Sequence, residues 1–467
     1  MSSKTIILFA GPMPRAQVGA FPAVCFATLL LLLLSGVPEL SASSVIPAPP
    51  QVHPILLAGG TVHTVSGAVL ESTDVLFVDG RIAQIGRRLA RTRDTEVIDV
   101  KGRRVYPGLV AAFTRLGLLE IAAVRATRDI AETGMFNPSV RAQVAVNADS
   151  ELLPVARTNG VLTALTVPAT SAKFIAGISA VIRLDGWTWE DLSIRAAAAL
   201  HVYWPQMRLD RSPQAAKPPA DQQKDLEARL REFGEAWAAA RAYAQAKSAA
   251  ATAGRPPPDT DLRWEAMTPV FTGVLPVFIH ADELKQIESA LAWAARQQVK
   301  ITLVGGADAW RVAALLRAAD VPVILAGANN LPLRRDDDFD APFTNAEKLR
   351  AAGVRFCIAG QADGSGFGNE RNLPYESAKA VAYGLPRDEA IKAITLHAAQ
   401  LLGVGDELGS VEVGKRATVI VTDGDPLEIP TQVALAFIDG RRIDLANRQT
   451  MLRDKYSERL RRLGDDG

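Results

Sequence analysis

The chain has 467 residues, of which 48% are hydrophobic and 22% charged, and its 52 lysines and arginines balance its 51 aspartates and glutamates. This composition is typical of a folded globular protein and excludes a disordered chain, which would carry fewer apolar residues and a larger net charge. A net charge of +1 gives no basic excess for nucleic acid, so neither DNA nor RNA is an expected partner.

Residues 1–44 have the pattern of a secretory signal peptide. Lys4 and Arg15 precede the apolar run 21–34, which is followed by the helix breaker Gly36 and by small residues at 41–44. A membrane anchor is the alternative, but about 14 apolar residues span only about 21 Å of a roughly 30 Å hydrocarbon core. The sequence therefore predicts an exported protein, periplasmic or secreted, with no membrane partner after signal cleavage.

Short strands are predicted between residues 45 and 107. The apolar segments 75–78 and 82–85 are joined by Asp79-Gly80, a strong hairpin signal because such a tight turn needs positive φ. Similar strand-like segments return within residues 401–445. The two ends of the chain are therefore expected to build one small β-sandwich together.

Residues 108–400 alternate short apolar segments with amphipathic ones, which predicts βα units and a parallel sheet. Strands are expected at 276–279, 299–304, 321–325 and 354–358, and a helix at 283–298. The repetition favours a (β/α)8 TIM barrel, of the α/β class, over an open sheet. An open dinucleotide-binding fold is further disfavoured because no Gly-x-Gly-x-x-Gly opens a helix after the first strand.

Two segments depart from this alternation. Residues 205–263 contain a helix-favouring stretch between proline-rich flanks, which predicts an exposed helical insertion: a solvated helix on the barrel wall, a lid or an oligomer contact. Residues 446–467 form a predicted helical tail with Leu452, Tyr456 and Leu460 at helical spacing. The tail is expected either to pack on the barrel or to dock a partner.

Several segments match one family pattern: Gly59-Gly60-Thr61-Val62, the hairpin 75–85, Val105-Tyr106-Pro107-Gly108-Leu109-Val110, Pro276-Val277-Phe278-Ile279-His280-Ala281, Ala393-Ile394-Thr395-Leu396-His397-Ala398-Ala399, and the stretch 409–421 that begins Gly409-Ser410-Val411. On these residues the chain resembles the amidohydrolase superfamily, and in particular exported members similar to imidazolonepropionase-like hydrolases. The resemblance implies a metal-binding barrel flanked by a β-sandwich, in agreement with the fold read from the residues.

The resemblance also implies a ligand set for one or two divalent ions. The family pattern places His-x-His after the first barrel strand, one histidine after each of the fifth and sixth strands, an aspartate after the eighth and often a bridging carboxylated lysine. Here Phe113 and Arg115 stand where the two paired histidines belong. A phenyl ring cannot bind a metal, and a protonated guanidinium repels a cation, so the metal site is predicted to be degenerate.

Three residues remain as site candidates. His280 falls at the fifth-strand ligand position and is the predicted metal ligand, although a lone histidine is also compatible with a structural role. Asp363 is the predicted catalytic carboxylate after the eighth strand, but Gln361 lies nearer the expected position and aspartate also suits turns. Arg115 is the second predicted catalytic residue, either binding an anionic substrate group or replacing the metal charge in a buried ion pair.

These features give two functional hypotheses. The first is a hydrolase of non-peptide carbon–nitrogen bonds whose activity is weak or altered, with a small-molecule substrate and either one divalent ion, zinc being the expected metal, or none. The second is a non-catalytic binding protein or the partner subunit of an active paralogue, because a fold does not carry function by itself. A homo-oligomer or a paralogous amidohydrolase partner is expected in either case.

Overall fold

The computed structural model describes residues 46–170, 174–361 and 366–465, which belong to the compact unit Val45–Gly467. The predicted signal peptide, residues 1–44, and the predicted catalytic Asp363 lie outside the described residues. Within the described part of the chain, no helix combines the length and the apolar character needed to cross a membrane.

The strands and helices alternate through the middle of the chain and strands dominate its beginning. The strands are β1 (Ile55–His63), β2 (Val69–Val78), β3 (Arg81–Gly86), β4 (Glu96–Asp99), β5 (Arg104–Pro107), β6 (Leu109–Thr114), β7 (Val161–Thr166), β8 (Phe174–Ile178), β9 (Ala180–Arg183), β10 (Ser193–Arg195), β11 (Leu200–Tyr203), β12 (Val277–Ala281), β13 (Ile301–Gly305), β14 (Val323–Ala326), β15 (Phe356–Ala359), β16 (Val419–Thr422), β17 (Val433–Ile438) and β18 (Arg441–Arg442). The helices are α1 (Leu152–Arg157), α2 (Trp189–Leu192), α3 (Pro219–Thr252), α4 (Leu262–Phe271), α5 (Leu284–Gln297), α6 (Ala313–Ala318), α7 (Ala341–Ala351), α8 (Leu373–Ala382), α9 (Arg387–Ala393), α10 (Leu396–Leu401) and α11 (Arg448–Asp465).

One sheet joins strands from both ends of the described chain. Its order is β18-β17-β16-β5-β1-β2-β3, with β4 paired to β1. The predicted hairpin is confirmed: β2 and β3 pair antiparallel around Asp79 and Gly80, both at positive φ. The apolar side chains of this sheet form their own cluster, in which the rings of Phe77 and Phe437 meet edge to face. These strands form a single sheet, so the two-layered β-sandwich stays a prediction.

The strands of the middle segment form two further sheets, the larger of which is mainly parallel. β11 to β15 are parallel and hydrogen-bonded in chain order, which confirms the four strands predicted there. A smaller sheet has the order β10-β9-β7-β6. Ser179 lies between β8 of one sheet and β9 of the other, and its amide donates to Ala199 at 3.0 Å. The strands β15 and β6, at the other junction of the two sheets, lie beside each other but are not hydrogen-bonded as a strand pair.

A single apolar cluster collects side chains from both of these sheets. Its members include Val110, Leu165, Val181, Phe278, Val304, Ile324 and Cys357, which come from β6, β7, β9, β12, β13, β14 and β15 in turn. The strands therefore enclose one core in the manner of a TIM-type barrel. The described strands do not form a continuously hydrogen-bonded ring, so the closed (β/α)8 barrel is supported only as a general architecture.

The helical insertion is only partly exposed. Helix α3 covers 34 residues, and Phe233, Trp237 and Ala240 along one face are buried. The ring of Trp237 meets that of Trp293 on α5 with centroids 4.8 Å apart. The buried positions recur at helical spacing, but the apolar stripe that they form is hard to recognise in the sequence because the rest of the helix is rich in alanine. The helix therefore packs on the barrel wall, which is one of the predicted placements, and it buries one face instead of being solvated all round.

Candidate functional site

Arg115 immediately follows the first barrel strand, β6, and is almost completely buried, with 1% of its surface exposed. Its Nη1 donates to the carbonyl oxygen of Val167, and its Nη2 donates to the hydroxyl of Tyr203 at 3.0 Å. That hydroxyl donates in turn to the carbonyl of Pro168 at 3.0 Å. The hydrogen bonds to Val167 and Tyr203 therefore fix the guanidinium at the end of the strand. The catalytic role of Arg115 stays a prediction.

Two histidines on neighbouring parallel strands lie beside this arginine. His201 on β11 and His280 on β12 approach with Nδ1 of the first 2.8 Å from Nε2 of the second, one nitrogen donating and the other accepting. Tyr203 is the register neighbour of His280, and the two rings stack with centroids 3.9 Å apart. Phe113, from β6, contacts the same imidazole. The side chains at this end of the barrel thus pack against one another.

The environment holds both imidazoles in the neutral form. Burial, with a smaller contribution from the positive charge of Arg115, lowers the pKa of His201 to about 3. Burial also lowers the pKa of His280 well below its usual value, and His201 and Arg115 add to the effect. A neutral pair satisfies its shared hydrogen bond without placing another charge beside the guanidinium. His201 has no notable sequence motif, but His201 and Tyr203 share one face of β11 at i, i+2 spacing.

Glu370 is a further buried group that the sequence analysis missed. It lies after β15 in the sequence and is 3% exposed, and neither carboxyl oxygen has a hydrogen-bond partner among the described residues. Burial is the main cause that raises its pKa well above the ordinary value, Glu376 adds to the shift, and Arg115 opposes it. A neutral, protonated carboxyl group is therefore expected at this position. Its segment, Asn369-Glu370-Arg371, carries no motif that would have identified it.

Replacing Glu370 with glutamine is expected to stabilise the protein at neutral pH. The unfolded chain ionises this carboxyl above its ordinary pKa of 4.5, whereas the folded chain keeps the proton, so the wild type loses stability as the pH rises. The loss is about 1.4 kcal/mol per pH unit between 4.5 and the folded-state pKa. Urea unfolding at pH 4 and pH 7.5 should show the gain only at the higher pH. The exposed control Glu288→Gln should show no such difference, and an equal effect at both pH values for Glu370→Gln would contradict the assignment.

The described residues do not fit a divalent ion at this position. His280 directs Nε2 to His201, and the adjacent guanidinium repels a cation. Within residues 46–170, 174–361 and 366–465, no group of three or more histidine, cysteine, aspartate or glutamate side chains is arranged to hold a metal. The predicted catalytic Asp363 lies outside these ranges. The role of His280 as a metal ligand therefore stays a prediction without a supporting donor set.

A cavity of about 430 Å³ opens near the carboxyl ends of β13 and β14. Trp310, Asn330 and Asn345 contribute to its lining, together with the carboxylate of Asp308. Neither His280 nor Arg115 lines it. Ligands of α/β proteins bind at the carboxyl ends of the strands, so this cavity is the candidate binding pocket, next to the packed cluster of Arg115, His201, Tyr203 and His280.

Comparison with known proteins agrees with this architecture. The model of the amidohydrolase family matches residues 302–444. Imidazolonepropionase from Maricaulis maris is 30% identical over 168 residues, which are 36% of this chain and 40% of that protein. The imidazolonepropionase of Acidiphilium cryptum is 31% identical over 155 residues, 33% of this chain and 37% of that protein. The chain therefore matches about two fifths of the length of these relatives.

Among solved structures, an amidohydrolase from Thermotoga maritima MSB8 superposes with a TM-score of 0.69 and 22% identity, covering 84% of this chain and 99% of that one. This likeness shows a shared fold. The family match over residues 302–444, the relatives and the shared fold together support the resemblance to the amidohydrolase superfamily. The matched part of the chain is similar to imidazolonepropionases, which confirms the resemblance predicted from the sequence.

Proposed function

We propose that this protein is a binding member of the amidohydrolase superfamily that takes a small molecule at the strand ends and does not hydrolyse carbon–nitrogen bonds with metal-activated water. One observation carries the proposal: the side chains at the barrel mouth hydrogen-bond to one another. His201 bonds to His280, and Arg115 bonds to Tyr203 and to a backbone carbonyl. A water-activating metal needs several free, electron-donating ligands instead.

The cavity beside this cluster supports the binding role. Its lining combines an indole ring, two side-chain amides and the three carboxylates of Asp282, Asp308 and Asp337 with apolar residues from the loop after β14, a mixture of apolar and polar groups typical of small-molecule pockets. Asp308 is buried and is bound by Arg334, which also contacts Asp337. Arg311 and Arg334 together compensate Asp308 and Asp337, so the pocket suits a small ligand that donates hydrogen bonds to its carboxylates, such as an amide or a cyclic urea-like compound.

A hydrolase of non-peptide carbon–nitrogen bonds with weak or altered activity is the second candidate. The specific observation in its favour is the match to two imidazolonepropionases, enzymes whose name denotes action on a cyclic amide. Such a hydrolysis would need a group other than a metal to activate water. The imidazole of His280 is neutral and partly exposed, so it is the residue that would serve as the base, and its lowered pKa would make it a weak one, in keeping with weak activity.

The metal content of the purified protein tests the proposal directly. After incubation with zinc, manganese or iron and dialysis, elemental analysis should find well below one ion per chain, and a chelator should leave the thermal unfolding temperature unchanged. A metal that binds the folded state would raise that temperature. Stoichiometric metal together with chelator-sensitive hydrolysis of any cyclic or linear amide would overturn the proposal.

Binding of a small molecule in the cavity is tested with a panel of cyclic and linear amides that the protein does not hydrolyse. A compound that occupies the cavity should raise the unfolding temperature of the wild type, and Trp310→Ala should lose that shift. Trp187→Ala is the matched control because Trp187 is 66% exposed and does not line the cavity. Turnover that persists without metal and is abolished by His280→Gln would favour the second candidate instead.

A further inference from the structure

Helix α11, the last element of the chain, begins in firm contact with the body of the protein. Asn447 is buried, and its Nδ2 donates to the hydroxyl of Thr158 at 2.5 Å. The Oδ1 of Asn447 accepts hydrogen bonds from the amides of Gln449 and Thr450 at 2.8 and 3.1 Å. It thus caps the helix in the way that asparagine favours. The start of the helix is therefore fixed in place.

Beyond this cap the helix exposes an apolar face. From residue 451 to residue 464 every side chain is exposed apart from that of Glu458, which is half-buried. Leu452 is 42% exposed, Tyr456 52%, Leu460 71% and Leu463 61%, whereas Met451, at 55%, is exposed on another side of the helix from these four. Their spacings of three and four residues place them on one face of the helix. This arrangement contradicts the expectation that the tail packs on its own barrel.

The charges on α11 are sorted around that apolar face. Arg448, Lys455 and Arg459 fall along one border of it, and none of these three forms an ion pair with a described residue. Asp454 and Glu458 fall on the opposite face, and Glu458 binds Arg461 and Arg462 within the helix. A helix with an apolar face, a basic border and acidic residues on the far side is suited to lie in the interface of an anionic membrane.

A second copy of the helix is a poorer occupant. Two antiparallel copies that paired through Leu452 and Leu460 would bring Lys455 and Arg459 of one helix towards the basic border of the other. Like charges at such flanking positions oppose pairing. The acidic side chains that could compensate them lie on the far face. Anionic lipid, in contrast, supplies negative charge on both sides of the apolar face at once.

We propose that α11 binds the surface of anionic lipid bilayers, with Leu452, Tyr456, Leu460 and Leu463 in the headgroup boundary and the basic border of Arg448, Lys455 and Arg459 against the lipid phosphates. The proposal departs from the expectation of no membrane partner and is independent of the activity at the barrel mouth. Attraction of the basic residues falls off within a screening length, so binding weakens as salt is added.

Co-sedimentation of the full chain with vesicles tests the proposal. Vesicles of phosphatidylglycerol and phosphatidylcholine should bind the protein at low salt, whereas vesicles of phosphatidylcholine alone, or about 0.5 M salt, should reduce binding at least several-fold. All variants share residues 21–34, so any contribution of that apolar run is common to them. The double variant Leu452→Ser, Leu460→Ser should lower the partition coefficient by roughly tenfold or more.

Two variants with the same change of charge provide the matched comparison. Arg459→Glu alters the border of the apolar face and should weaken binding by roughly tenfold, whereas Arg461→Glu lies on the other side of the helix and should have a much smaller effect. Circular dichroism establishes that both remain helical. Equal loss in the two variants, absence of binding to anionic vesicles, or self-association without vesicles that Leu460→Ser abolishes would each overturn the proposal.

Discussion

Replacing Asp185 with alanine is expected to lower the free energy of unfolding by about 3–5 kcal/mol, since its carboxylate is buried and bound from three sides. Oδ1 accepts from Arg157 at 2.6 Å, while Oδ2 accepts from Arg441 at 3.0 Å and from the amide of Ala48 at 3.1 Å. The side chains of Asp185 and Arg157 are only 2% and 4% exposed. Alanine would leave the guanidinium of Arg157 buried without its counter-charge.

The position of Asp185 explains why the effect should reach the whole protein. The residue follows β9 of the barrel, whereas Arg441 belongs to β18 of the sheet built from both chain ends, and Ala48 precedes β1. One carboxylate therefore ties the terminal sheet to the barrel. Its loss is expected to lower the midpoint of urea unfolding and to separate the unfolding of the two parts when they are followed by different probes.

Two comparisons make this prediction specific. Asp320→Ala removes a carboxylate that pairs with Arg355 at 3.0 Å, with side chains 86% and 61% exposed. The lost pair should cost within about 1 kcal/mol, and the positive φ of Asp320 should add about 1 kcal/mol of backbone strain with alanine, so the total stays below that of Asp185→Ala. The double variant Arg157→Met, Asp185→Leu removes both buried charges and should recover most of the lost stability. A loss for Asp185→Ala no larger than that for Asp320→Ala would show that the buried pair does not have the assigned role.

Most of the fold could be predicted from the sequence because its strands, helices and turns are encoded by residues that are close together along the chain. Asp79-Gly80 encodes a turn, and the four parallel strands β12 to β15 are short apolar segments separated by helices of ordinary length. Helix α5 occurs within the predicted range, beginning after the capping box of Glu283 and Gln286. The buried stripe of α3 was missed because its partners, Trp204 and Trp293, lie far from it along the chain.

Only part of the candidate site could be predicted from the sequence, because most of its contacts join residues that are far apart along the chain. The absence of the family's paired histidines is visible at Phe113 and Arg115. What replaces them depends on contacts between strands: His201 reaches His280 across β11 and β12, and Tyr203 bridges Arg115 to the same ring. Glu370 approaches Arg115 from the segment after β15. No spacing along the chain encodes such pairings, which arise from the order of the strands around the barrel.

The paired histidines should make the stability of this protein fall as the pH is lowered. The folded-state pKa of His201 is about 3, below the ordinary value of 6.5, and that of His280 is lowered in the same direction. The unfolded chain takes up protons below pH 6.5 while the folded pair does not. The stability contributed by neutral His201 is therefore complete above pH 6.5 and is lost between pH 6.5 and about pH 3, at about 1.4 kcal/mol per pH unit, and His280 adds a loss of the same sign below pH 6.5.

A variant without these imidazoles isolates the effect from that of other groups. The difference in unfolding free energy between the wild type and His201→Gln, His280→Gln should shrink steadily as urea unfolding is repeated from pH 7 to pH 4.5. The slope is opposite in sign to that expected from Glu370, whose buried carboxyl weakens the fold as the pH rises, so the two pairs of measurements check each other. A difference that stays constant with pH would mean that the folded protein binds protons at this pair. The barrel mouth would then accommodate a charge that its packed arginine is expected to exclude.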